Sequence, residues 1–209
     1  MHVPDGFLSP QLTLPALAAA APLWVYAARR HFGRAALDAL PAIGALTALA
    51  LVVQTLMIPL PGGTSTHLGG VVLLALLFHP LVAFVCESLV LVIQAVALGV
   101  GGVTVLGVNA LAMGLLGPLA GWAVHRLLRG PLPRVAAFLA GWLGTQVSTA
   151  AVVGALGLQH ALSPAHLPTP LPVLAVAMLG PSALTGVAEG LYTVFAMALL
   201  RKAAQRGLA

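Results

Sequence analysis

From Pro80 to Val100 the chain runs for 21 residues with one charged side chain, Glu87. Comparable apolar runs recur from one end of its 209 residues to the other. A helix of about 20 such residues crosses the roughly 30 Å hydrocarbon core of a bilayer. Only 6% of the residues are charged, against about a quarter in an ordinary soluble domain. That composition argues against a soluble enzyme and against a disordered tail, which needs the opposite balance. Cys86 is the sole cysteine, so a disulfide scaffold is excluded. The expected fold class is an all-α membrane protein in one domain, residues 1–209, without internal repeats.

Spans are expected at about 11–28, 39–58, 68–79, 81–100, 104–127, 134–157 and 171–200. His79-Pro80 leaves open whether 68–100 is two passes or one kinked pass, since proline removes a backbone donor and disfavours helix before it. The cations decide. With seven passes and the N-terminus outside, Arg29, Arg30, Arg34, Arg126, Arg129, Arg134, Arg201, Lys202 and Arg206 all fall on one side. That is the positive-inside distribution, whereas six passes split the same residues three against six. The expectation is a seven-helix transmembrane bundle with an external N-terminus and a cytoplasmic C-terminus, multi-pass in a prokaryotic inner (plasma) membrane. Residues 1–10 lack the basic region of a secretory signal and are expected as the mature terminus. The net charge of +5 comes with no dense basic and aromatic stretch, so nucleic acid is not an expected partner; the lipid bilayer is.

His2 directly follows the first residue. The Met1 amine, the His2 amide nitrogen and the His2 imidazole can close two fused chelate rings on one metal ion. A deprotonated amide favours a metal that accepts planar nitrogen donors, Ni(II) or Cu(II), over tetrahedral Zn(II). A planar set needs a fourth donor. His67, on the glycine- and proline-rich external loop 59–67, can supply it; each histidine also reads as an ordinary surface residue. The ligands must shed protons, which predicts weaker binding in mild acid.

Met1-His2-Val3-Pro4-Asp5-Gly6-Phe7-Leu8 closely resembles the N-terminus of the CbiM/NikM family, and Gly63-Thr64-Ser65-Thr66-His67-Leu68-Gly69-Gly70 is similar to its second signature. Gln94 in Val-Ile-Gln-Ala, Gly107-Val108-Asn109-Ala110, Met113-Gly114, Gly117-Pro118 and Glu189-Gly190-Leu191 also match, so the resemblance covers nearly the whole chain. Members are substrate-specific (S) components of energy-coupling-factor (ECF) transporters for cobalt and nickel. The resemblance implies a seven-helix S component whose N-terminal segment folds back into an outward-facing pocket. It implies Ni(II) or Co(II) as transported substrate, held by Met1, His2 and His67. It also implies a coupling T protein, two cytoplasmic ATPases and, in some systems, a small accessory membrane subunit. Val100 and Pro181-Ser182 depart from the family pattern, outside the four-nitrogen set.

Ser65, Gln94, Asn109 and Asp5 are the candidates for outer contacts, because metal-bound histidines need an acceptor for the other ring nitrogen. For Asp5 the competing reading is a turn before Gly6. Glu87 and Gln94, seven apart, share a helical face. A carboxylate there faces the bundle interior, either as cavity wall or coupling surface or as a helix–helix hydrogen bond. The small-residue spacings Gly117/Gly121 and Gly186/Gly190, which flank Glu189, and Ala16/Ala20 suit bundle packing or docking on a T protein. His31 and His125 are expected to be solvated, His79 to cap a helix, His160 and His166 to lie on an outer loop, and Cys86 to fill apolar space.

An intramembrane metal-dependent hydrolase would need two histidines one turn apart with a glutamate, as in H-E-x-x-H; the sequence has none. A vitamin-specific S component would show an aromatic pocket, yet aromatics are 5% of the chain. A self-sufficient channel would need repeated acidic rings. The phosphate-loop pattern G-x-x-x-x-G-K-[ST] is absent from the sequence, so ATP hydrolysis is expected from partners.

Overall fold

The computed structural model describes residues 2–33, 38–59 and 65–205. It is almost entirely helical. Among the described residues seven helices follow in chain order: α1 Pro10–His31, α2 Leu40–Thr55, α3 Val71–Leu77, α4 Pro80–Leu98, α5 Leu106–Leu128, α6 Pro133–Leu162 and α7 Leu171–Gln205. A two-residue antiparallel pair, β1 Ile58–Pro59 with β2 Ser65–Thr66, closes the loop between α2 and α3. Among the described residues, five helices (α1, α4, α5, α6 and α7) are long and apolar enough to cross a membrane, and α2 is a shorter apolar helix. Prolines open α1, α4 and α6 at the first turn, where their missing donor costs nothing.

The third expected span is corrected. Residues 68–70 are not helical, and α3 has only seven residues, about 10 Å of helix. The chain enters the bundle as non-helical backbone and turns helical only at Val71. Such backbone is tolerated at depth where protein surrounds it, and Val71 to Ala75 are all buried.

Glycine faces set the helix spacing. A Cβ added at Gly121 of α5 would lie 2.6 Å from the Ala140 carbonyl of α6, and one at Gly190 of α7 would lie 2.8 Å from the Phe138 carbonyl. One at Gly107 would meet the α1 backbone at Leu17, 2.6 Å away. The small-residue faces are therefore packing surfaces inside the bundle: Ala16 packs on the core and Ala20 is fully buried. Large apolar residues such as Leu14, Val52, Val176, Leu184 and Phe195 stay exposed, as a lipid-facing surface requires. His125 is buried, not solvated; it follows Gly117 and Gly121 on the face that α5 presents to the bundle. His31 is half-buried against His79, whose Nδ1 accepts from the Leu81 N–H and caps α4. His160 sits in the last turn of α6, and His166 lies exposed beyond it. Cys86 is buried among apolar residues.

Two widened turns interrupt the helices. Gln94–Leu98 ends α4 and Ala110–Leu116 lies within α5, both with π-helical bonding. Buried Gln94 opens the first and buried Asn109 immediately precedes the second. Such π segments recur at functional sites because they re-aim side chains out of the regular helical register.

Candidate metal centre

The N-terminal segment folds into the bundle. Val3 and Leu8 belong to one core cluster with Phe84, Leu91, Met113 and Val152. Asn109 brackets Val3: its Oδ1 accepts from the Val3 N–H and its Nδ2 donates to the Val3 carbonyl, both at 3.0 Å. The Ser9 N–H donates to Gln159 Oε1 at 2.7 Å. Asp5 does not reach either histidine. Its carboxylate accepts from the N–H groups of Val103 and Thr104, at 3.1 and 2.9 Å, and from the Thr104 hydroxyl. The Thr104 hydroxyl is the main cause holding the Asp5 carboxyl below its ordinary range. Asp5 is thus a turn residue that ties the segment to the 101–105 loop. A Cβ at Gly102 would lie 2.6 Å from the Asp5 amide nitrogen, and one at Gly101 would lie 3.4 Å from His2 Cβ. Only glycines allow that close approach.

These ties bring His2 to His67. The two rings stack with centroids 4.8 Å apart and planes at 21°. His67 is buried, and its Nδ1 lies 3.0 Å from the Leu68 carbonyl oxygen. A carbonyl only accepts, so Nδ1 carries the proton and Nε2 is the lone-pair nitrogen. Burial drives the His67 imidazole pKa down to about 3 and that of His2 well below 6.5. Both rings are therefore neutral donors at physiological pH. His2 Nε2 and Gln94 Oε1 are each buried without a hydrogen-bond partner among the described residues, and the Gln94 side chain acts on the His2 ring to favour its protonated form.

The loop that carries His67 is pinned by residues far away in sequence. Glu189 of α7 accepts from the N–H groups of Gly69 and Gly70, each at 2.8 Å. Gly70 takes a φ of +70°, a backbone shape that a residue with a Cβ adopts only at a cost. Gln54 of α2 donates to the Gly69 carbonyl at 2.9 Å and to Glu87 Oε2 at 2.8 Å. Gln94 donates to Gln54 Oε1 at 3.2 Å, so it reaches the loop through Gln54. Thr185 donates to the Pro181 carbonyl at 3.2 Å, which leaves Thr66 as donor in the 2.7 Å Thr66–Thr185 bond. A cavity of about 50 Å³ lies against Thr66, His67, Glu87 and Glu189.

The structure thus brings together His2, His67, Gln94 and Asn109. Glu87 and Glu189 stand behind the loop, and Asp5 lies apart. Met1 and the Ser65 side chain lie outside the described residues. Sequence reasoning missed Gln54, Thr66, Thr185 and Gln159. Gln54 had a signal, as the one amide in the apolar run 39–58. Among the described residues no three His, Cys, Asp or Glu side chains converge, so a metal here needs backbone donors as well as the two rings.

A family profile described as "CbiM: Cobalt uptake substrate-specific transmembrane region" matches residues 2–206. The chain is 36% identical over 180 residues to a metal transport protein of Methanocaldococcus jannaschii, covering 85% of this chain and 81% of that one. It is 33% identical over 215 residues to the fused nickel transport protein NikMN of Rhodobacter capsulatus, covering 97% of this chain but 62% of that one. The chain therefore spans less than two thirds of that fused relative. A crystal structure titled as a truncated transition metal transporter superposes with a TM-score of 0.91 at 30% identity, covering 97% of this chain and 99% of the other.

Proposed function

Since the chain belongs to the CbiM/NikM family and is a multi-pass membrane component of cobalt or nickel transport, we propose that it captures the ion with four nitrogens. These are the Met1 amine, the His2 amide nitrogen, the His2 ring and His67 Nε2. The observation that carries this reading is the stacked His2–His67 pair, held by Asn109 on one side and by the Glu189-pinned loop on the other. The chelate with its own amide uses His2 Nδ1. That leaves His2 Nε2–H to donate to the otherwise unpartnered Gln94 Oε1, the kind of outer contact that fixes a ligating ring. Losing the amide proton removes one positive charge from the complex, which lowers the cost of holding a dication beside the hydrocarbon layer.

The N-terminus then faces outside, and the nine cations face the cytoplasm of a prokaryotic cell. An ECF T protein and two cytoplasmic ATPases supply coupling and energy. The fused relative's greater length supports a small accessory membrane subunit as a further partner of this chain.

The test is acetylation of the Met1 amine, which removes that donor without building a new chelate. The native terminus should bind Ni(II) with the visible absorption of a planar nitrogen complex. The acetylated chain should lose that band and bind more than about 100-fold less tightly, because outer-contact changes alone cost 10–100-fold. Equal calorimetric affinity for both chains would sink the donor assignment.

A further inference from the structure

The first turn of α6 and the last turns of α7 enclose a cavity of about 420 Å³ lined by Arg134, Arg201 and Lys202 together with apolar Val194, Met197 and Ala198. The three cations are exposed and form no ion pair among the described residues. The chain has four acidic side chains, and none lines this cavity. Asp5 is bound to the 103–104 backbone, Asp38 lies just before α2, and Glu87 and Glu189 are buried with Gln54 and the His67 loop. Nothing in the described protein neutralises the cluster.

Its depth indicates what does. With 30 and 35 residues, α6 and α7 are about 45 and 52 Å long at 1.5 Å per residue. Centred on a hydrocarbon core of roughly 30 Å, they extend about 7 and 11 Å beyond it at each end. Arg134, one residue into α6, and Arg201, four from the end of α7, then both lie about 5–6 Å outside the hydrocarbon. That is the layer of lipid phosphates. Basic pockets between helices at this depth on the cytoplasmic side bind anionic headgroups.

We propose that this cavity is a binding site for an anionic phospholipid, its phosphate held by Arg134, Arg201 and Lys202 and the start of its acyl chain lying on Val194, Met197 and Ala198. The mixed lining selects an amphiphile over a free anion, which would gain nothing from the apolar wall. The site joins the two longest helices of the bundle at the end opposite the His2–His67 pair. It rests on the membrane fold and the proposed orientation, independently of the metal assignment.

The test is native mass spectrometry of the delipidated full chain with dioleoyl phosphatidylglycerol, dioleoyl phosphatidylcholine or inorganic phosphate, with the thermal midpoint measured in parallel. Phosphatidylglycerol should bind the native chain selectively and raise its midpoint; phosphatidylcholine and free phosphate should not. Each of R134Q, R201Q and K202Q should weaken that binding about fivefold, from roughly 1 kcal/mol per cation near an anionic lipid. Arg29→Gln/Arg30→Gln, which lies elsewhere on the same side, should leave it unchanged. Should a glutamine variant misfold, R134K/R201K keeps the charge and should retain the lipid, and raising salt should release it from the native chain. Equal binding of both lipids, the full effect from inorganic phosphate alone, unaltered binding by the three glutamine variants, or salt-insensitive binding would each overturn the site.

Discussion

The bundle holds two stacked histidine pairs, and they look alike until their hydrogen bonds are compared. His2 and His67 stack at 4.8 Å and 21°; His31 and His79 stack at 4.3 Å and 21°. In the first pair, His67 Nδ1 donates to the Leu68 carbonyl, which leaves Nε2 with a lone pair. In the second, His79 Nδ1 accepts from the Leu81 N–H, which puts the ring proton on Nε2 and uses the lone pair on the backbone. Their surroundings differ as well. Behind the His67 loop stand Glu87, Glu189 and two amide side chains. Around the second pair stand Arg29 and Arg30 in the last turn of α1, with Arg126 over the Trp122 ring that tilts against His79. Proximity of two imidazoles is therefore not a metal site; the backbone partner decides which nitrogen carries the lone pair, and neighbouring arginines make the second pair a poor place for a dication.

The largest expected effect breaks the first pair. His67→Ala should weaken Ni(II) binding by at least about 100-fold, beyond the 10–100-fold typical of outer contacts. Inserting one residue between Met1 and His2 creates an amine, two amides and an imidazole, which fill the plane without His67. In that background His67→Ala should change calorimetric affinity by less than about threefold, or under 1 kcal/mol. An equally large loss in both backgrounds would show that His67 holds the fold and not the ion.

Next come the residues that position the pair. Asn109→Ala removes both bonds on Val3 and leaves buried backbone groups unsatisfied, a loss of about 1–3 kcal/mol each. Nickel affinity should fall about tenfold or more with the planar absorption band unmoved, since the donors are intact. Glu189→Gln presents an amide donor to one of two glycine N–H groups and should weaken binding by a smaller factor, about threefold to tenfold, in line with one lost bond. A displaced band in either variant would make these residues ligands.

Much of this arrangement was legible in the sequence. The seven helical segments follow from apolar runs and punctuating prolines, and His2 and His67 from their spacing and resemblance. The exceptions share one physical cause. Residues 68–70 read as the start of a span because their composition is apolar, but Glu189, 120 positions away, holds them out of helical shape. Asp5 reads equally as a partner for histidine or for a turn, and only the approach of the 101–105 loop decides. His125 reads as solvated beside arginines, yet its register with Gly117 and Gly121 turns it inward. Each depends on a partner that local sequence does not name.

A smaller effect concerns acid. In the metal-stripped protein, burial keeps His67 neutral down to about pH 3, while the unfolded ring titrates near 6.5. Above pH 6.5 both states are neutral, and this stability is fully present. As the pH falls from 6.5 toward 3 the unfolded chain takes up a proton that the folded ring refuses, so stability is lost. At pH 5 the cost is about 2 kcal/mol, from 1.36 kcal/mol per unit. Chelator-treated native protein should lose more of its thermal midpoint between pH 7 and pH 5 than His67→Ala does. Parallel curves would show that His67 is solvated.

The smallest effect sharpens the contrast from the other side. Removing His79 deletes the cap of α4 and its stack on His31. A lost cap costs about 1 kcal/mol, so His79→Ala should lower the thermal midpoint by a few degrees. His79→Asn should restore most of it, because asparagine is among the best residues at that position. Nickel affinity should be unchanged in both, since the ring's lone pair already belongs to the Leu81 N–H and the neighbouring arginines repel a dication. The asparagine variant makes the test decisive, because it keeps the cap and discards the imidazole. If it folds like the native chain yet binds nickel more weakly, the second pair takes part in binding and the distinction drawn from the ring protons fails.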